Sequence, residues 1–343
     1  MVRILHAADL HLDSPFSGLT PEQAAARRKL QRQLPGKIVE LANERNCGLL
    51  LLAGDVFDGA RVSPETVEAL VTALGQFRGQ VFVAPGNHDP YTDRSPWAMT
   101  LWPENVYVFT GKARSVTLPD CRIWGGAFTG SDCFDGLPQV SDDGCLQIGL
   151  FHGDPETPGP YRHMTAADIA ACGLDYLALG HIHKTRLPVR TGRTWAGWPG
   201  AAMGRGFDEC GPRGVFYTEL DKAFCRTEFL PLPGPRYEKI TVAYGETPRL
   251  PEDSQSVICR LTVTGEADDP DFEGLRKALE PKFLALDLRD ETVPTRDIWA
   301  SCGDGTLRGL TLSALKLQAD GGNDLSELAA RYVLAALEGR DAP

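Results

Sequence analysis

The chain has 343 residues, of which 42% are hydrophobic and 24% charged, and its formal net charge is −11. A chain of this length usually forms more than one hydrophobic core, so we expect a large domain and a smaller one. The composition excludes a disordered chain. No apolar run approaches the roughly 18 residues of a membrane-spanning helix, and Asp9 and His11 interrupt the start before a signal-peptide core could form. We therefore expect a cytoplasmic protein without a membrane segment.

The spacing of the cysteines and the net charge further limit the kinds of function that the chain can have. The nine cysteines are odd in number and no two lie closer than twelve positions apart, which excludes CxxC zinc knuckles and favours reduced thiols. The acidic balance argues against a nucleic-acid enzyme, because phosphate binding recruits Lys and Arg. Bound divalent metals or a basic partner subunit would offset that deficit.

The first half of the chain alternates predicted strands and helices. Thr20-Pro21-Glu22-Gln23 has the form of a capping box and predicts a helix toward Leu34, and a second helix begins at Ser63-Pro64. Short apolar runs predict buried strands at 2–8, 49–53, 80–84, 146–151 and 176–179. Each predicted strand leads into an Asp or a His, which is typical of a layered α/β domain with its site at the strand ends.

A proline-rich stretch at 230–235 predicts the connection between domains, so the boundaries are 1–234 for the catalytic domain and 235–343 for an α+β accessory domain. In the second domain we predict strands at 237–244 and 257–263 and a helix through 272–279. A final helix, capped by Asp324, has Leu325, Leu328, Tyr332 and Ala335 on one face. Core packing is the favoured use of that face, and docking of a partner is the alternative.

The candidate metal ligands come in pairs. Asp9 and His11 are two positions apart, as are His181 and His183, and in extended backbone this spacing points both side chains the same way. Asp55, Asn87 and His152 complete a set of carboxylate, amide and imidazole groups that can hold two divalent cations about 3.5–4 Å apart, with Asp55 as the natural bridge. Each fragment alone is more often an ordinary loop. The full ordered set, at successive strand ends, predicts a binuclear metal site.

Five motifs resemble, in order, those of the calcineurin-like metallophosphoesterases: Asp-Leu-His, Gly-Asp-Val-Phe-Asp, Gly-Asn-His-Asp, His-Gly and Gly-His-Ile-His. The resemblance covers roughly residues 1–220. Within that superfamily, Ala8–Phe16, Ala178–Lys184 and Gly204–Gly214 look like the SbcD-type DNA repair exonucleases, most closely their YhaO branch. The resemblance implies a four-layer α/β/β/α sandwich followed by a smaller C-terminal α+β capping domain.

The resemblance also implies roles for individual residues. One metal would be held by Asp9, His11, Asp55 and His183, and the other by Asp55, Asn87, His152 and His181. His88 would then be the acid that protonates the leaving oxygen when water, activated by the metals, attacks phosphorus in line. The family commonly uses manganese, and it implies DNA as substrate, a large SbcC-like ATPase subunit as partner, and a homodimer.

Other polar residues keep two interpretations each. Lys184, Arg186 and Arg205 are candidates for binding substrate phosphates, together with Arg190 and Arg193. The cluster at 27–29 predicts a solvated helix face, with phosphate tracking as the alternative. His6 is interpreted as a core histidine or a supporting partner of the site. Asp58 and Asp89 orient ligands or cap turns.

Three functions follow from these patterns. The first is a DNA exonuclease or endonuclease that works with an ATPase partner, and the second is a phosphodiesterase for a small nucleotide or another small phosphodiester. The extra C-terminal module favours the first and the acidic charge favours the second. The third is a scaffold that keeps the fold and acts by binding a partner. A phosphoprotein phosphatase fits less well, because Asn87-His88 is followed by Asp89 and not by Glu.

Overall fold

A computed structural model describes residues 1–17, 19–130, 136–156, 164–267, 270–293, 297–323 and 325–337. Its strands are β1 (Val2–Ala7), β2 (Leu49–Leu52), β3 (Gln80–Val83), β4 (Val106–Val108), β5 (Arg114–Thr117), β6 (Cys121–Gly125), β7 (Leu146–His152), β8 (Tyr176–Gly180), β9 (Arg186–Thr191), β10 (Thr194–Trp198), β11 (Gly214–Asp221), β12 (Phe224–Pro231), β13 (Arg236–Ala243), β14 (Val257–Thr264) and β15 (Ala285–Asp290). Its helices are α1 (Pro21–Gln31), α2 (Leu34–Glu44), α3 (Pro64–Gly75), α4 (Pro96–Met99), α5 (Ala166–Ala171), α6 (Phe272–Leu279), α7 (Leu307–Asp320) and α8 (Leu325–Leu337).

Two six-stranded sheets form the centre of the first compact unit. The first sheet has the order β12-β11-β1-β2-β3-β4, in which β1 to β4 run parallel and β11 pairs antiparallel with β1. The second has the order β5-β6-β7-β8-β10-β9, with β6, β7, β8 and β10 parallel. Parallel strands place their carboxyl ends at one edge of a sheet, where loops carry functional side chains.

The alternation of side chains along the strands produces four layers. In β2, Leu50 and Leu52 pack toward α2 and α3, whereas Leu49 and Leu51 face the second sheet. In β8, Ala178 faces the first sheet and Leu179 packs toward α5. A strand buried on both faces reads as a continuous apolar run, which explains the sequence of β2. The predicted fold class, a four-layer α/β/β/α sandwich, is confirmed.

The sequence correctly predicts where helices α1 and α3 begin, but it does not predict that α1 ends before Leu34 and that a second helix starts there. The capping box at Thr20 is present, since its side chain accepts from the backbone of Gln23 and the Gln23 side chain returns to Thr20. Helix α1 ends at Gln31, and a separate helix, α2, begins at Leu34 with proline in its first turn. Proline at a first turn is favourable and inside a helix is not, so Pro35 starts a new helix.

The chain divides into two compact units. The first comprises Met1–Lys239, Pro251–Arg260 and Glu280–Asp287, and the second comprises Ile240–Leu250, Leu261–Leu279 and Leu288–Pro343. The domain boundary near residue 235 therefore stays a prediction. A three-stranded sheet of order β13-β14-β15 follows the proline-rich stretch. None of the described helices combines the length and apolar character that a bilayer crossing needs.

The prediction that four residues of the final helix pack in the core is wrong for three of them. Leu325, Leu328 and Tyr332 are 71%, 48% and 47% exposed, and Ala335 alone of the four is buried. The face of α8 that packs against its own unit carries Ala330 and Leu334 instead. Helical spacing groups residues on one face but does not say which of two apolar faces is covered. The predicted cap, Asp324, lies outside the described residues.

Candidate metal centre

Five parallel strands deliver the predicted ligands to one place. Four ligands follow β1, β2 and β3, which are neighbours in the first sheet, and the other three end or follow β7 and β8 in the second. The loops after β1 and β2 are tied together, since the Asp9 amide donates to the Gly54 carbonyl at 3.1 Å and that of His11 to the Asp55 carbonyl at 2.9 Å. The site therefore spans the carboxyl ends of both sheets.

The first donor group consists of Asp9, His11 and His183. The Nε2 atoms of the two imidazoles lie 3.1 Å apart, and an Asp9 oxygen lies 4.0 Å from that of His183. On the far side of each ring, Nδ1 donates to a carboxylate at 2.7 Å, Asp58 for His11 and Glu209 for His183. These carboxylates fix the tautomer whose Nε2 lone pair points into the site.

The second donor group consists of Asp55, His152 and His181 with Asn87 between them. The Asn87 amide oxygen lies 3.0 Å from His152 Nε2 and 3.1 Å from His181 Nδ1. An Asp55 oxygen lies 3.3 Å from His152 Nε2. His152 Nδ1 donates to the main-chain carbonyl of Ala53 at 2.9 Å, so here the main chain orients the ring.

Asp55 connects the two groups. Its Oδ2 is 3.3 Å from His152 Nε2 and 3.9 Å from His11 Nε2, and its Oδ1 accepts from the His88 amide at 2.9 Å. Burial would raise the pKa of this carboxyl, but the nearby imidazoles, chiefly His152, hold it below its usual range. Burial likewise works against charge on His152, yet Asp55 and Asp9 raise its pKa to about 9.

The donor set fits divalent cations. In the first group, two Nε2 lone pairs face each other at 3.1 Å, an arrangement that repels unless a positive charge lies between them. In the second group, the raised pKa of His152 reports the same preference for positive charge beside the Asp55 carboxylate. Mixed imidazole and oxygen donors suit manganese and zinc, and no sulfur donor joins either group among the described residues. The residues present therefore fit two metal ions.

The main chain is strained where it presents the ligands. Asp9, His11, Asp55 and His181 all have positive φ angles, of 51°, 45°, 50° and 88°. Non-glycine residues adopt this left-handed conformation infrequently and at a cost, and such residues cluster at functional sites. The positive φ angles explain how Asp9 and His11, two positions apart, both belong to the first donor group although their loop is not an extended strand. The spacing of His181 and His183 has the opposite outcome, since these two side chains belong to different groups.

Asp89 builds the loops beneath the second group. Its buried carboxylate accepts four main-chain N–H bonds, from Asp55, Val56, Phe57 and Gly86, at 2.7–3.1 Å. Burial, with the Asp55 charge nearby, raises its pKa to about 7. Of its two interpretations, turn capping describes its contacts, because all four donors are main-chain amides of the loops that carry Asp55 and Asn87. A side chain at Gly86 would meet this assembly, since a Cβ there would lie 2.2 Å from an Asp55 oxygen.

His88 stands at the edge of the site. Its ring packs edge-on against His11 at 4.8 Å between centroids, its Nδ1 lies 3.3 Å from the Asp58 carbonyl, and its side chain is 44% exposed. His88, His11 and Asp58 also form a third potential metal-binding group. Because Asp58 occupies His11 Nδ1 at 2.7 Å, the Nε2 of His11 is the nitrogen left for a metal, and it faces His183.

Three of the five predicted substrate cations pair with acids of the chain. Arg205 contacts Asp58 and Glu209 at 2.8 Å and 3.1 Å, and Arg186 pairs with Glu156 at 2.8 Å. Lys184 is exposed. Arg193 contacts Asp175 at 2.6 Å, and Arg190 is exposed.

Of two buried residues discussed in the sequence analysis, Arg27 departs from the favoured prediction and His6 agrees with one of its two interpretations. Arg27, in the cluster predicted to be a solvated face, is only 5% exposed and lies over the rings of Phe16 and Tyr237. His6 is a core histidine with both ring nitrogens hydrogen-bonded, to the Tyr176 hydroxyl and the Leu179 carbonyl. Glu209 was not among the predicted site residues. Its only local signal is an acidic residue inside a glycine-rich segment.

Comparisons with known proteins agree with this geometry. Residues 2–185 match the model of the calcineurin-like phosphoesterase family. The chain is 29% identical to the uncharacterized metallophosphoesterase YhaO of Bacillus subtilis over 86% of this chain and 79% of that protein. It is 34% identical to one component of the nuclease SbcCD of Rhodobacter capsulatus, over 26% of this chain and 22% of that protein, and 24% identical to the DNA double-strand break repair protein Mre11 of Methanopyrus kandleri, over 64% and 54%. With the matched family region covering both donor groups up to His183, the chain belongs to the calcineurin-like phosphoesterases.

Proposed function

We propose that this protein hydrolyses phosphodiester bonds of DNA with two divalent metal ions, as a nuclease of the SbcD type in DNA repair. The observation that carries the proposal is the pair of donor groups joined by Asp55, with His88 beside them. When bound, two metals activate water and offset the phosphate charge. Manganese is the proposed ion, and the first group would hold one metal while the second holds the other, with Asp55 shared.

The residues of the chain divide the remaining work. Water gives up a proton to solvent and its oxygen forms the new P–O bond as the bond to the sugar oxygen breaks. His88, as the imidazolium, gives its Nε2 proton to that departing oxygen and becomes neutral. The hydrogen bond from His88 Nδ1 to the Asp58 carbonyl leaves Nε2 as the nitrogen that faces substrate. The exposure of His88 allows a polymer to approach it.

The test compares wild type with His88→Ala in manganese, on labelled linear DNA and on bis-p-nitrophenyl phosphate. We expect DNA cleavage by wild type and a loss of about 100- to 10,000-fold in His88→Ala, the usual contribution of a general acid. Both proteins should bind two manganese ions by elemental analysis. Cleavage of the small diester with intact DNA at low salt would favour the second function, a small-molecule phosphodiesterase, which the net charge of −11 supports.

A large ATPase subunit is the proposed partner, and α8 offers a place for it. Leu325 and Leu328 are exposed on this helix together with Tyr332, and exposed apolar clusters mark interaction surfaces. We expect Leu328→Asp to leave the cleavage of the small diester unchanged and to abolish co-purification with the ATPase. The control is Lys316→Asp on α7, which changes charge without removing an apolar side chain.

A further inference from the structure

Arg205 lies between the two carboxylates that support the first donor group. Its Nη1 contacts Asp58 Oδ1 at 2.8 Å and its Nη2 contacts Glu209 Oε1 at 3.1 Å. Its own amide also donates to Glu209 Oε2 at 2.8 Å. The side chains of Glu209 and Asp58 are 5% and 15% exposed, so the guanidinium is their main access to positive charge apart from the histidines.

The same two carboxylates orient the two facing histidines. Asp58 Oδ1 accepts from His11 Nδ1 and Glu209 Oε1 accepts from His183 Nδ1, both at 2.7 Å. A single guanidinium therefore touches both acids, and its Nη2 also lies 3.3 Å from His183 Nδ1. Asp58 Oδ1 in addition lies 3.8 Å from the Nδ1 of His88. Removing the guanidinium would leave two like charges in a half-buried pocket, and each acid would lose the contact that fixes its position.

The loop that carries Arg205 is itself anchored. Arg27, which is buried, donates to the Gly204 carbonyl at 2.8 Å. Arg213 donates to the carbonyls of His183 at 2.6 Å and Glu209 at 3.1 Å. The loop after β10 is thereby fixed both to α1 and to the His183 segment, so the position of Arg205 is set by the fold and not by substrate.

We infer that Arg205 is a positioning residue for one of the two metals: it couples Asp58 to Glu209 and so holds His11 and His183 with their Nε2 atoms convergent. This inference rests on the proposed binuclear site. It assigns Arg205 a role different from phosphate binding, the role that its sequence position suggests. Its planar fork reaches two carboxylates at once, which the single ammonium of a lysine does not do.

The experiment measures manganese binding to the full chain by calorimetry and by electron paramagnetic resonance in Arg205→Met, Arg205→Lys and the control Arg94→Met, which changes an exposed arginine. In Arg205→Met we expect one manganese to bind as in wild type and the other to weaken by about 10- to 100-fold, the usual effect of removing a supporting partner. At two equivalents of metal, the coupled two-manganese signal of wild type should give way to that of isolated manganese. Arg205→Lys should fall between the two.

Excess manganese separates positioning from substrate binding. It should restore the coupled signal and most of the kcat of Arg205→Met on the small diester, with a KM near that of wild type. Unchanged affinity for both metals with a raised KM would overturn the inference in favour of phosphate binding. Equal weakening of both metals in Arg205→Met would overturn it in favour of a general structural role.

The same measurements distinguish failure of the proposed function from failure of the inference on Arg205. Wild type that binds two manganese ions and cleaves neither DNA nor the small diester would refute the proposed function, whereas selective weakening in Arg205→Met would still support the inference. Wild type that binds fewer than two ions would refute both.

Discussion

The two donor groups differ in what holds their histidines in place. In the first group, the Nδ1 atoms of His11 and His183 donate to the side chains of Asp58 and Glu209. In the second group, His152 donates to the main-chain carbonyl of Ala53. A carboxylate raises the basicity of the histidine it accepts from, and it can be removed by mutation. A main-chain carbonyl can be displaced only by changing the backbone around it.

Side-chain carboxylates therefore orient the histidines of the first group, whereas a main-chain carbonyl orients His152 in the second group. The carboxylates of the first group come from segments about 150 residues apart, and Arg205 connects them. Ala53 directly follows β2 and lies two positions before Asp55, so the second group is oriented by the same strand end that supplies its carboxylate. Mutations should therefore separate the two halves, except at Asp55.

The largest effect is expected for Asp55→Asn, which removes the carboxylate common to both groups. The Asn oxygen can still accept from the His88 amide, so the change isolates the charge. We expect both metals to weaken and phosphodiesterase activity to fall by more than about 100-fold, the upper end for loss of a mere supporting partner. Elemental analysis and diester cleavage test this against Asp93→Asn, an exposed control. Loss of a single metal would break the assignment of Asp55 as the bridge.

Gly180→Ala should disturb the second group through the backbone. A Cβ at this position would lie 1.8 Å from the Ala53 carbonyl oxygen and 2.8 Å from His152 Nδ1, so the carbonyl must move away from the histidine. Overpacking of this kind costs about 1–3 kcal/mol in the free energy of unfolding. We expect a lower melting temperature and weaker binding of one manganese.

The control for Gly180→Ala is Gly59→Ala, where a Cβ would meet no atom within 4 Å. That substitution should leave melting and metal binding unchanged. If Gly180→Ala weakened the same metal as Arg205→Met, the division of the site into two separately supported halves would be wrong.

Glu209→Gln is expected to affect the first group alone. Burial would raise the pKa of Glu209, but His183 and Arg205 lower it to about 2, so the residue is a carboxylate at neutral pH. Gln can still accept from His183 but carries no charge, and we expect one manganese to weaken by about 10- to 100-fold. The matched control is Asp208→Asn, the exposed neighbour. Calorimetry that found both metals unchanged would remove Glu209 from the support of the site.

The contrast also explains which features the sequence could predict. Asp9, Asp55, Asn87, His152 and His181 are recognisable because each follows or ends a buried strand. Parallel strands bring such residues to one sheet edge, so local pattern and position in the site coincide. The region that matches the family ends at residue 185, before the loop that carries Arg205 and Glu209.

Other residues depend on tertiary contacts that no local pattern encodes. The orientation of His183 by Glu209 arises only when the loop after β10 folds back. Arg27 is buried because Phe16 and Tyr237, far apart in sequence, cover its guanidinium. Leu325 and Tyr332 share an apolar spacing with Ala335 but are exposed, since α8 packs through Ala330 and Leu334.

His6 differs from the histidines of both donor groups, because neither of its ring nitrogens is left for a metal. Its Nε2–H donates to the Leu179 carbonyl and its Nδ1 accepts from the Tyr176 hydroxyl, each at 3.1 Å. Burial lowers its pKa from 6.5 to about 3, so the folded protein keeps it neutral while the unfolded chain takes up a proton below pH 6.5. The contribution of His6 to the unfolding free energy should therefore fall by about 1.4 kcal/mol per pH unit as the pH drops from 6.5 toward 3.

Denaturant titrations in EDTA between pH 7 and 5 measure this slope without bound metal. His181, whose pKa is lowered to about 4 mainly by burial, adds to this loss of stability. Asp89, whose pKa is raised to about 7, opposes it, because the folded protein takes up a proton there that the unfolded chain does not. The effect of His6 is therefore the difference between wild type and His6→Gln. We expect His6→Gln to be less stable at pH 7 but to lose less stability on acidification. Tyr176→Phe removes the same hydrogen bond and keeps the histidine, so it should retain the slope of wild type. Equal slopes in wild type and His6→Gln would mean that His6 is protonated in the folded protein, and the distinction between core and metal-site histidines would then fail at this residue.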